Sequence, residues 1–309
     1  MEQKKRILVL GVTGAQGRSV ARALLSDNHF EVRIFTRNPE SVRAQELKES
    51  GAEIAEGSTD DMGSLMRAMK DCYGVFGGTN FREYNDLEYQ RGKNLVDAVQ
   101  LSGISHFVFH ILSDYEQLNA GKFSSPHEEI KAALLKYSHS LNIPTTFVHM
   151  GFYYENFQSY FPFQKEADGV YYFGFQQDDT CLAMASVKDL GCVVRSVFNH
   201  PAEYIGRKIA VIAANETGTR YAELMSKVLN QDIRYKNIPA GGFTVKEMQR
   251  TEELNNLFES QRLNIPNRLI NLIESYGLNP DMQSFEHWLR KNKSGFEAHL
   301  NALSPKKAA

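Results

Sequence analysis

The stretch of sequence that decides the fold is Arg6-Ile-Leu-Val-Leu-Gly11-Val-Thr-Gly14-Ala-Gln-Gly17-Arg-Ser-Val-Ala-Arg-Ala-Leu-Leu25. Residues 7–10 form an unbroken apolar run, which is typical of a strand buried on both faces of a parallel sheet. Three glycines follow at a spacing of three, and apolar residues then recur at helical spacing. The pattern therefore predicts a strand, a glycine-rich turn and a helix, in that order.

This order of elements favours dinucleotide binding. Of the three glycines, one makes the tight turn after the strand, one lets the backbone approach a pyrophosphate, and one lets the helix pack against the sheet. The N-terminus of the helix adds unpaired N–H groups and a partial positive charge. A glycine turn with a purely structural role is the alternative interpretation.

The composition narrows the class of protein. The chain has 309 residues, of which 42% are apolar and 23% charged, and this balance is typical of a globular protein. A net charge of −2 gives no electrostatic footprint for nucleic acid or for an anionic membrane. No apolar run approaches the ~20 residues that a membrane span needs. The three cysteines are far apart and odd in number, which predicts a reducing compartment. We expect the cytoplasm, and also the nucleus if the source is eukaryotic.

Strands alternate with helices along the first half of the chain. The sequence pattern predicts strands over 7–10, 30–36, 53–56, 74–77, 106–110 and 145–150. Strands separated by helices of 10–20 residues form right-handed βαβ units, so the fold class is α/β, a Rossmann-type doubly wound parallel sheet.

The domain organisation follows from the same pattern. Residues 1–151 are predicted to form the Rossmann domain, with return segments at about 181–213 that complete the sheet. Residues 152–180 and 214–309 are predicted to form a smaller, mostly helical C-terminal lobe for a substrate or a partner. Within the return segment, Ser186-Val-Lys-Asp189 predicts a capping box that opens a helix.

The end of the second strand bears on which dinucleotide binds. Cofactor sites specific for NAD usually place an Asp or Glu there to hold the ribose 2′-hydroxyl. This chain has Thr36-Arg37-Asn38 instead, and Arg37 suits the 2′-phosphate of NADP. The sequence therefore predicts NADP (NADPH/NADP⁺), with a solvated Arg37 as the alternative.

Several motifs resemble those of the NmrA-like family of atypical short-chain dehydrogenases. They are Gly11–Gly17, Thr36–Pro39, Gly57–Asp61, Thr79–Phe81, His127–Lys131, Gly151–Phe157 and Val187–Gly191. The family includes NADP-sensing regulators and isoflavone-reductase-like enzymes. The resemblance implies a cofactor site built from Gly11, Thr13, Gly14, Ala15, Gln16, Gly17, Arg37, Asp60, Thr79, Asn80, Phe81, Lys131, Tyr153 and Asn156.

The chain departs from the dehydrogenase pattern at the catalytic positions. Dehydrogenases of this superfamily use Tyr-x-x-x-Lys, in which the lysine ammonium lowers the pKa of the tyrosine that donates the proton. Here His127 stands in place of the tyrosine, four residues before Lys131. The fifth strand ends in His110-Ile111, so the expected serine is missing. Lys131, His127 and Tyr115 are the candidate catalytic residues, with a surface His127 and Lys131 as the alternative.

No metal site is predicted. His127-Glu128 begins like the His-Glu-x-x-His zinc motif, but a lysine occupies the position of the second histidine. The aromatic run from Phe152 to Phe163 is open to three interpretations: a substrate wall, a partner surface or core.

Two functions from different classes remain. The first is an NADP(H)-binding, redox-sensing regulator that docks on a protein partner, and the missing tyrosine and serine favour it. The second is an NADPH-dependent oxidoreductase that reduces a small carbonyl, quinone or imine substrate, and Lys131 favours it. A homodimer is compatible with either function, and neither involves nucleic acid or a membrane.

Overall fold

The computed structural model describes residues 3–79, 87–112, 126–159, 161, 163–175, 180–238 and 271–303. For residues 126–128 it describes the backbone only.

A seven-stranded parallel sheet forms the centre of the molecule, in the order β11-β6-β5-β4-β1-β2-β3. Its strands are β1 (Lys5–Val9), β2 (Phe30–Thr36), β3 (Glu53–Glu56), β4 (Gly74–Gly78), β5 (His106–Ile111), β6 (Thr145–Met150) and β11 (Lys208–Val211). The strand order runs outward in both directions from the β1–β4 boundary, as in a doubly wound sheet. The predicted Rossmann-type fold is confirmed.

Helices cover both faces of this sheet. They are α1 (Ala15–Leu25), α2 (Val42–Glu49), α3 (Met62–Met69), α4 (Glu88–Leu101), α5 (Pro126–Ser140), α6 (Leu190–Asn199) and the short α7 (Pro201–Tyr204). Alternate residues of β1 point to opposite faces. Ile7 and Val9 join the core with α1, α2 and α6, whereas Leu8 joins the core with α3, α4 and α5.

The prediction for residues 181–213 is wrong in one respect. Of its two strands, only β11 joins the central sheet, beside β6. The strand β10 (Leu182–Ala185) pairs instead with β7 (Phe152–Tyr153) and β12 (Ala214–Glu216) in a separate three-stranded sheet. An apolar run predicts a buried strand but does not say which strand it pairs with, and all four residues of β10 are buried.

The C-terminal part is helical with small sheets, as predicted in outline. After a 3₁₀ turn at Tyr154–Gln158, a third sheet contains β8 (Gln164–Lys165), β9 (Tyr171–Phe173) and β13 (Ile233–Tyr235). The helices of this C-terminal part are α8 (Gly218–Leu229), α9 (Leu272–Leu278), α10 (Phe285–Lys291) and α11 (Lys293–Leu303). Within this part, the sequence also predicts a helix over residues 243–260, which lies outside the described residues.

Aromatic side chains hold this part together. Phe157 lies within 5.3 Å of the rings of Phe173 and Phe285, and Tyr154 lies 5.4 Å from Trp288, all as centroid separations. The core interpretation of the aromatic run 152–163 is confirmed for Tyr154, Phe157, Phe161 and Phe163, which are buried.

The predicted capping box at Ser186–Asp189 is wrong. The Ser186 hydroxyl donates to Glu155 Oε1 at 2.7 Å, and the backbone N–H of Val187 donates to Glu155 Oε2 at 3.1 Å. The carboxylate of Asp189 accepts the backbone N–H of Gln283 at 3.1 Å. The Ser186 hydroxyl oxygen accepts the backbone N–H of Lys188 at 3.3 Å, whereas the N–H of Asp189 donates to the Ser186 carbonyl oxygen. The reciprocal pair of side-chain bonds that defines the box is therefore not formed.

None of the helices in the described part of the chain is long and apolar enough to cross a membrane.

Candidate functional site

The glycine loop lies at the carboxyl edge of the sheet, directly after β1. Gly11 has φ of +70°, a left-handed backbone conformation that favours glycine. A Cβ at Gly17 would lie 2.4 Å from the carbonyl oxygen of Leu10, so only glycine lets α1 approach β1 this closely. Gly14 is the N-cap of α1, and within the described structure no side chain caps the helix there. The first N–H groups of α1 are therefore directed at this edge.

Three predicted or neighbouring site residues meet beside this loop. Gln16 Nε2 lies 2.9 Å from His110 Nε2 and donates a hydrogen bond to the Tyr153 hydroxyl at 2.5 Å. Gln16 belongs to the first turn of α1, His110 to the end of β5, and Tyr153 to β7. All three side chains are half-buried. The site thus joins the glycine loop to the segment that follows β6.

Lys131 lies inside the protein and not on a helix surface, so the alternative of a solvated lysine is wrong. Its side chain is 2% exposed, and Nζ donates to the carbonyl oxygen of Thr79 at 2.7 Å. Glu88, which is fully buried, places Oε1 3.7 Å from this ammonium and accepts a hydrogen bond from the Thr79 hydroxyl. A buried ammonium requires such partners, because desolvation strongly disfavours an isolated charge.

The pKa of Lys131 reflects these surroundings. Burial lowers the pKa of the ammonium from 10.5 to about 8, while the charge of Glu88 and its hydrogen bond act in the opposite direction. Lys131 is therefore mainly protonated at neutral pH, and its charge is held by Glu88 and Thr79.

Charged side chains cluster near the carboxyl ends of β2 and β3. Arg37 is exposed immediately after β2. Asp60 follows β3 and forms a bidentate pair with Arg91 of α4, with N···O distances of 2.6 and 2.7 Å. Hydrogen bonds from Arg91 first, and the charges of Arg91 and Arg37 in addition, hold the pKa of Asp60 below its usual value.

Further arginines adjoin the glycine loop. Arg43 Nη1, from α2, donates to the carbonyl oxygen of Thr13. Burial first, and then the charges of Arg43 and Arg22, lower the pKa of Arg18. These groups make the surroundings of the loop positive, which suits an anionic ligand.

The remaining predicted residues lie in the glycine loop, in the 3₁₀ turn after β7 or outside the described residues. Asn156 is 8% exposed within the 3₁₀ turn after β7. Ala15 begins α1 and is exposed, like Thr13 and Gly14. Asn80, Phe81 and Tyr115 lie outside the described residues, as does the side chain of His127. In the described ranges, no group of three His, Cys, Asp or Glu residues has the geometry of a metal site.

Sequence reasoning missed Glu88, Arg91 and Arg43. Arg91 and Asp60 are 31 residues apart, and Glu88 and Lys131 pair between two helices. Their one local signal is that Glu88 and Arg91 are three residues apart, so they share a face of α4. His110 stands near the end of β5, where the expected serine is missing, and its ring contacts Gln16.

The family profile and two similar relatives agree on one protein family. The sequence profile of the NmrA-like family matches residues 3–276. An NmrA-like family domain-containing protein of Dictyostelium discoideum is 30% identical over 243 residues, which cover 76% of this chain and 80% of that protein. The NmrA-like family domain-containing oxidoreductase hkm9 of Aspergillus hancockii is 29% identical over 270 residues, with 80% of each chain covered.

A solved structure shares the fold. The negative transcriptional regulator NmrA in complex with NADP has a TM-score of 0.82 at 21% identity, over 96% of this chain and 98% of that one. NmrA has also been solved in complex with NAD.

Proposed function

Because the chain belongs to the NmrA-like family, we propose that it binds NADP(H) at the glycine loop and acts as a redox-sensing regulator. The observation that carries the cofactor assignment is the position of the loop. It follows β1, where the strand order reverses between β1 and β4, and ligands of doubly wound sheets bind at this point.

The residues present fit such a cofactor. The close approach of α1 to β1, which only glycine at position 17 permits, directs the first N–H groups of the helix toward a pyrophosphate. Arg37 at the end of β2 suits a 2′-phosphate. NmrA, which shares the fold, has been solved with NADP, and this supports the same choice.

The state of Lys131 supports regulation over reduction. A reductase of this superfamily pairs its lysine with a tyrosine one turn away, and this chain has His127 there. The Lys131 ammonium is committed to Thr79 and Glu88 in a buried position. General acid catalysis typically supplies 10²–10⁴-fold in rate, so a site without the tyrosine and serine donors should reduce carbonyls slowly.

A second candidate function is an NADPH-dependent reductase of a small carbonyl, quinone or imine. The specific observation in its favour is the Gln16–His110–Tyr153 cluster, which brings a phenol and an imidazole to the carboxyl edge of the sheet. The oxidoreductase name of the Aspergillus hancockii relative points the same way.

Hydrogen exchange with and without NADP(H), run beside an NADPH turnover assay on a panel of carbonyls and quinones, tests the proposal. We expect cofactor-dependent protection in segments 11–17 and 151–158 together with little turnover. Efficient turnover that is lost in Lys131→Met would support the reductase. Unchanged exchange in both segments would contradict the regulator.

A further inference from the structure

The loop after β3 brings a carboxylate to the part of the sheet edge where Arg37 lies. β2 and β3 are parallel neighbours, with Thr36 opposite Glu56, and the N–H of Gly57 donates to Thr36 O at 3.1 Å. The chain therefore leaves the two strands side by side. Arg37 begins one loop, and Asp60 lies in the other.

The contact between Asp60 and Arg91 is anchored by further bonds to the same loop. Arg91 Nε donates to Asp60 Oδ1 and Nη2 donates to Oδ2, so the guanidinium is hydrogen-bonded to both carboxylate oxygens. The Arg91 side chain is only 14% exposed, against 52% for Asp60. The Ser58 hydroxyl also donates to Asp60 Oδ2 at 3.1 Å, and Asn94 of α4 donates to Thr59 O at 2.9 Å. Helix α4 thus holds the whole loop in place.

Arg37 is close enough for its charge to act on this pair. Its positive charge is one of the influences that keep the pKa of Asp60 low, after the hydrogen bonds from Arg91. A ligand phosphate beside Arg37 would therefore be subject to the charge of Asp60. A carboxylate at the ribose end of such a site repels a 2′-phosphate and accepts a hydrogen bond from a 2′-hydroxyl.

We propose that Arg91 is a specificity-determining residue, which occupies both oxygens of Asp60 and so makes the edge beside Arg37 selective for the 2′-phosphate of NADP(H). The inference rests on the proposed cofactor site and adds a second determinant to it. Without Arg91, Asp60 would act as the acid that the second strand lacks. The preference for NADP(H) would then weaken even though Arg37 is intact.

Titration calorimetry with NADP and NAD tests this through the ratio of the two dissociation constants. The proteins are the unsubstituted chain, Arg91→Gln, Asp60→Asn and the double variant. Arg91→Gln should lower the NADP preference about threefold to tenfold, the range expected for one exposed charge near a phosphate. Asp60→Asn should keep or raise the preference, and the double variant should restore it to within about twofold of the unsubstituted value.

Lys93→Gln is the matched control, because Lys93 lies on the same helix but pairs with Asp97 at 2.7 Å. It should leave the ratio unchanged. A ratio unaffected by Arg91→Gln, a fall in Asp60→Asn, or a double variant as low as Arg91→Gln would overturn the inference. If the unsubstituted chain showed no preference for NADP, the proposed cofactor itself would be wrong, and the inference with it.

Discussion

Gln16 and Tyr153 are 137 residues apart in sequence, and Gln16 Nε2 donates to the Tyr153 hydroxyl at 2.5 Å. The bond links the first turn of α1 to the strand that follows the sixth strand of the central sheet. Tyr154 follows Tyr153 directly, and Tyr154 and Phe157 pack in the aromatic core. A conformational change at the glycine loop would therefore reach the C-terminal part through few contacts. For a regulator, such a route would connect the cofactor to a partner surface.

Tyr153→Phe should separate the two ends of this link. The variant removes one partly buried hydrogen bond, worth about 0.5–1.5 kcal/mol, and should still fold and bind NADP. Hydrogen exchange should then show a cofactor response in segment 11–17 but a reduced one in 151–158. Tyr172→Phe, which removes a hydroxyl bonded to Asp168 on the exposed hairpin, is the control. A full response of 151–158 in Tyr153→Phe would exclude this link.

Two glycine substitutions should have different effects. Gly17→Ala places a Cβ 2.4 Å from the Leu10 carbonyl oxygen, so α1 must shift, and we expect a loss of about 1–3 kcal/mol of unfolding free energy. At Gly14 a Cβ would lie 3.2 Å from the Gly11 carbonyl oxygen, a tight contact but a longer one than at Gly17. Gly14→Val should therefore keep most of its unfolding free energy and yet fail to bind NADP. Normal NADP binding by folded Gly14→Val would refute the loop assignment.

Arg37→Ala should lower the affinity for NADP and leave that for NAD almost unchanged. A hydrogen bond to a charged group contributes about 1.5–3 kcal/mol, which corresponds to roughly ten- to a hundredfold in the dissociation constant. Titration calorimetry measures both affinities. Arg234→Ala is the control, since Arg234 pairs with Asp232 on a strand of another sheet. Equal losses for NADP and NAD would mean that Arg37 does not contact the 2′-phosphate.

The buried Lys131 should give the stability a defined pH dependence. Its pKa is about 8 in the folded protein and 10.5 when unperturbed, so between these values the folded state loses a proton that the unfolded state keeps. The unfolding free energy should therefore rise with pH relative to Lys131→Met, by at most about 1.4 kcal/mol per pH unit. Below pH 8 the cost of the buried charge is fully present, and above pH 10.5 it is absent.

Urea unfolding at pH 7, 8, 9 and 10 measures this difference. Lys208→Met, at an exposed lysine, should give a curve parallel to that of the unsubstituted chain. A difference between the chain and Lys131→Met that stays constant from pH 7 to 10 would show that Lys131 titrates as it does in the unfolded chain.

The parts of the fold that local pattern determines were predicted well. The bounds of the strands at 30–36, 53–56 and 145–150 agree with the structure, because turn-forming residues flank each of these segments. Pairing between distant segments was not predictable in the same way. The strand β10 looks like any buried strand in sequence, and its partners are β7 and β12.

The residues of the site also divide into those that the local sequence predicts and those that only distant contacts determine. The glycine loop and the position of Arg37 at the end of β2 follow from neighbouring residues, and both positions could be predicted. The partners Glu88 of Lys131 and Arg91 of Asp60 come from a different helix, and only the packing of α4 against its neighbours brings them close. The misassigned capping box has the same cause, since the Asp189 carboxylate that the box requires accepts the backbone N–H of Gln283, 94 residues away.

The central claim is that this chain prefers NADP(H), and one measurement tests it most directly: titration calorimetry of the unsubstituted protein with NADP and with NAD under the same conditions. The account predicts that NADP binds at least about tenfold more tightly, from one charge-assisted hydrogen bond of Arg37 to the 2′-phosphate. Equal dissociation constants for the two nucleotides, or binding of neither, would contradict it.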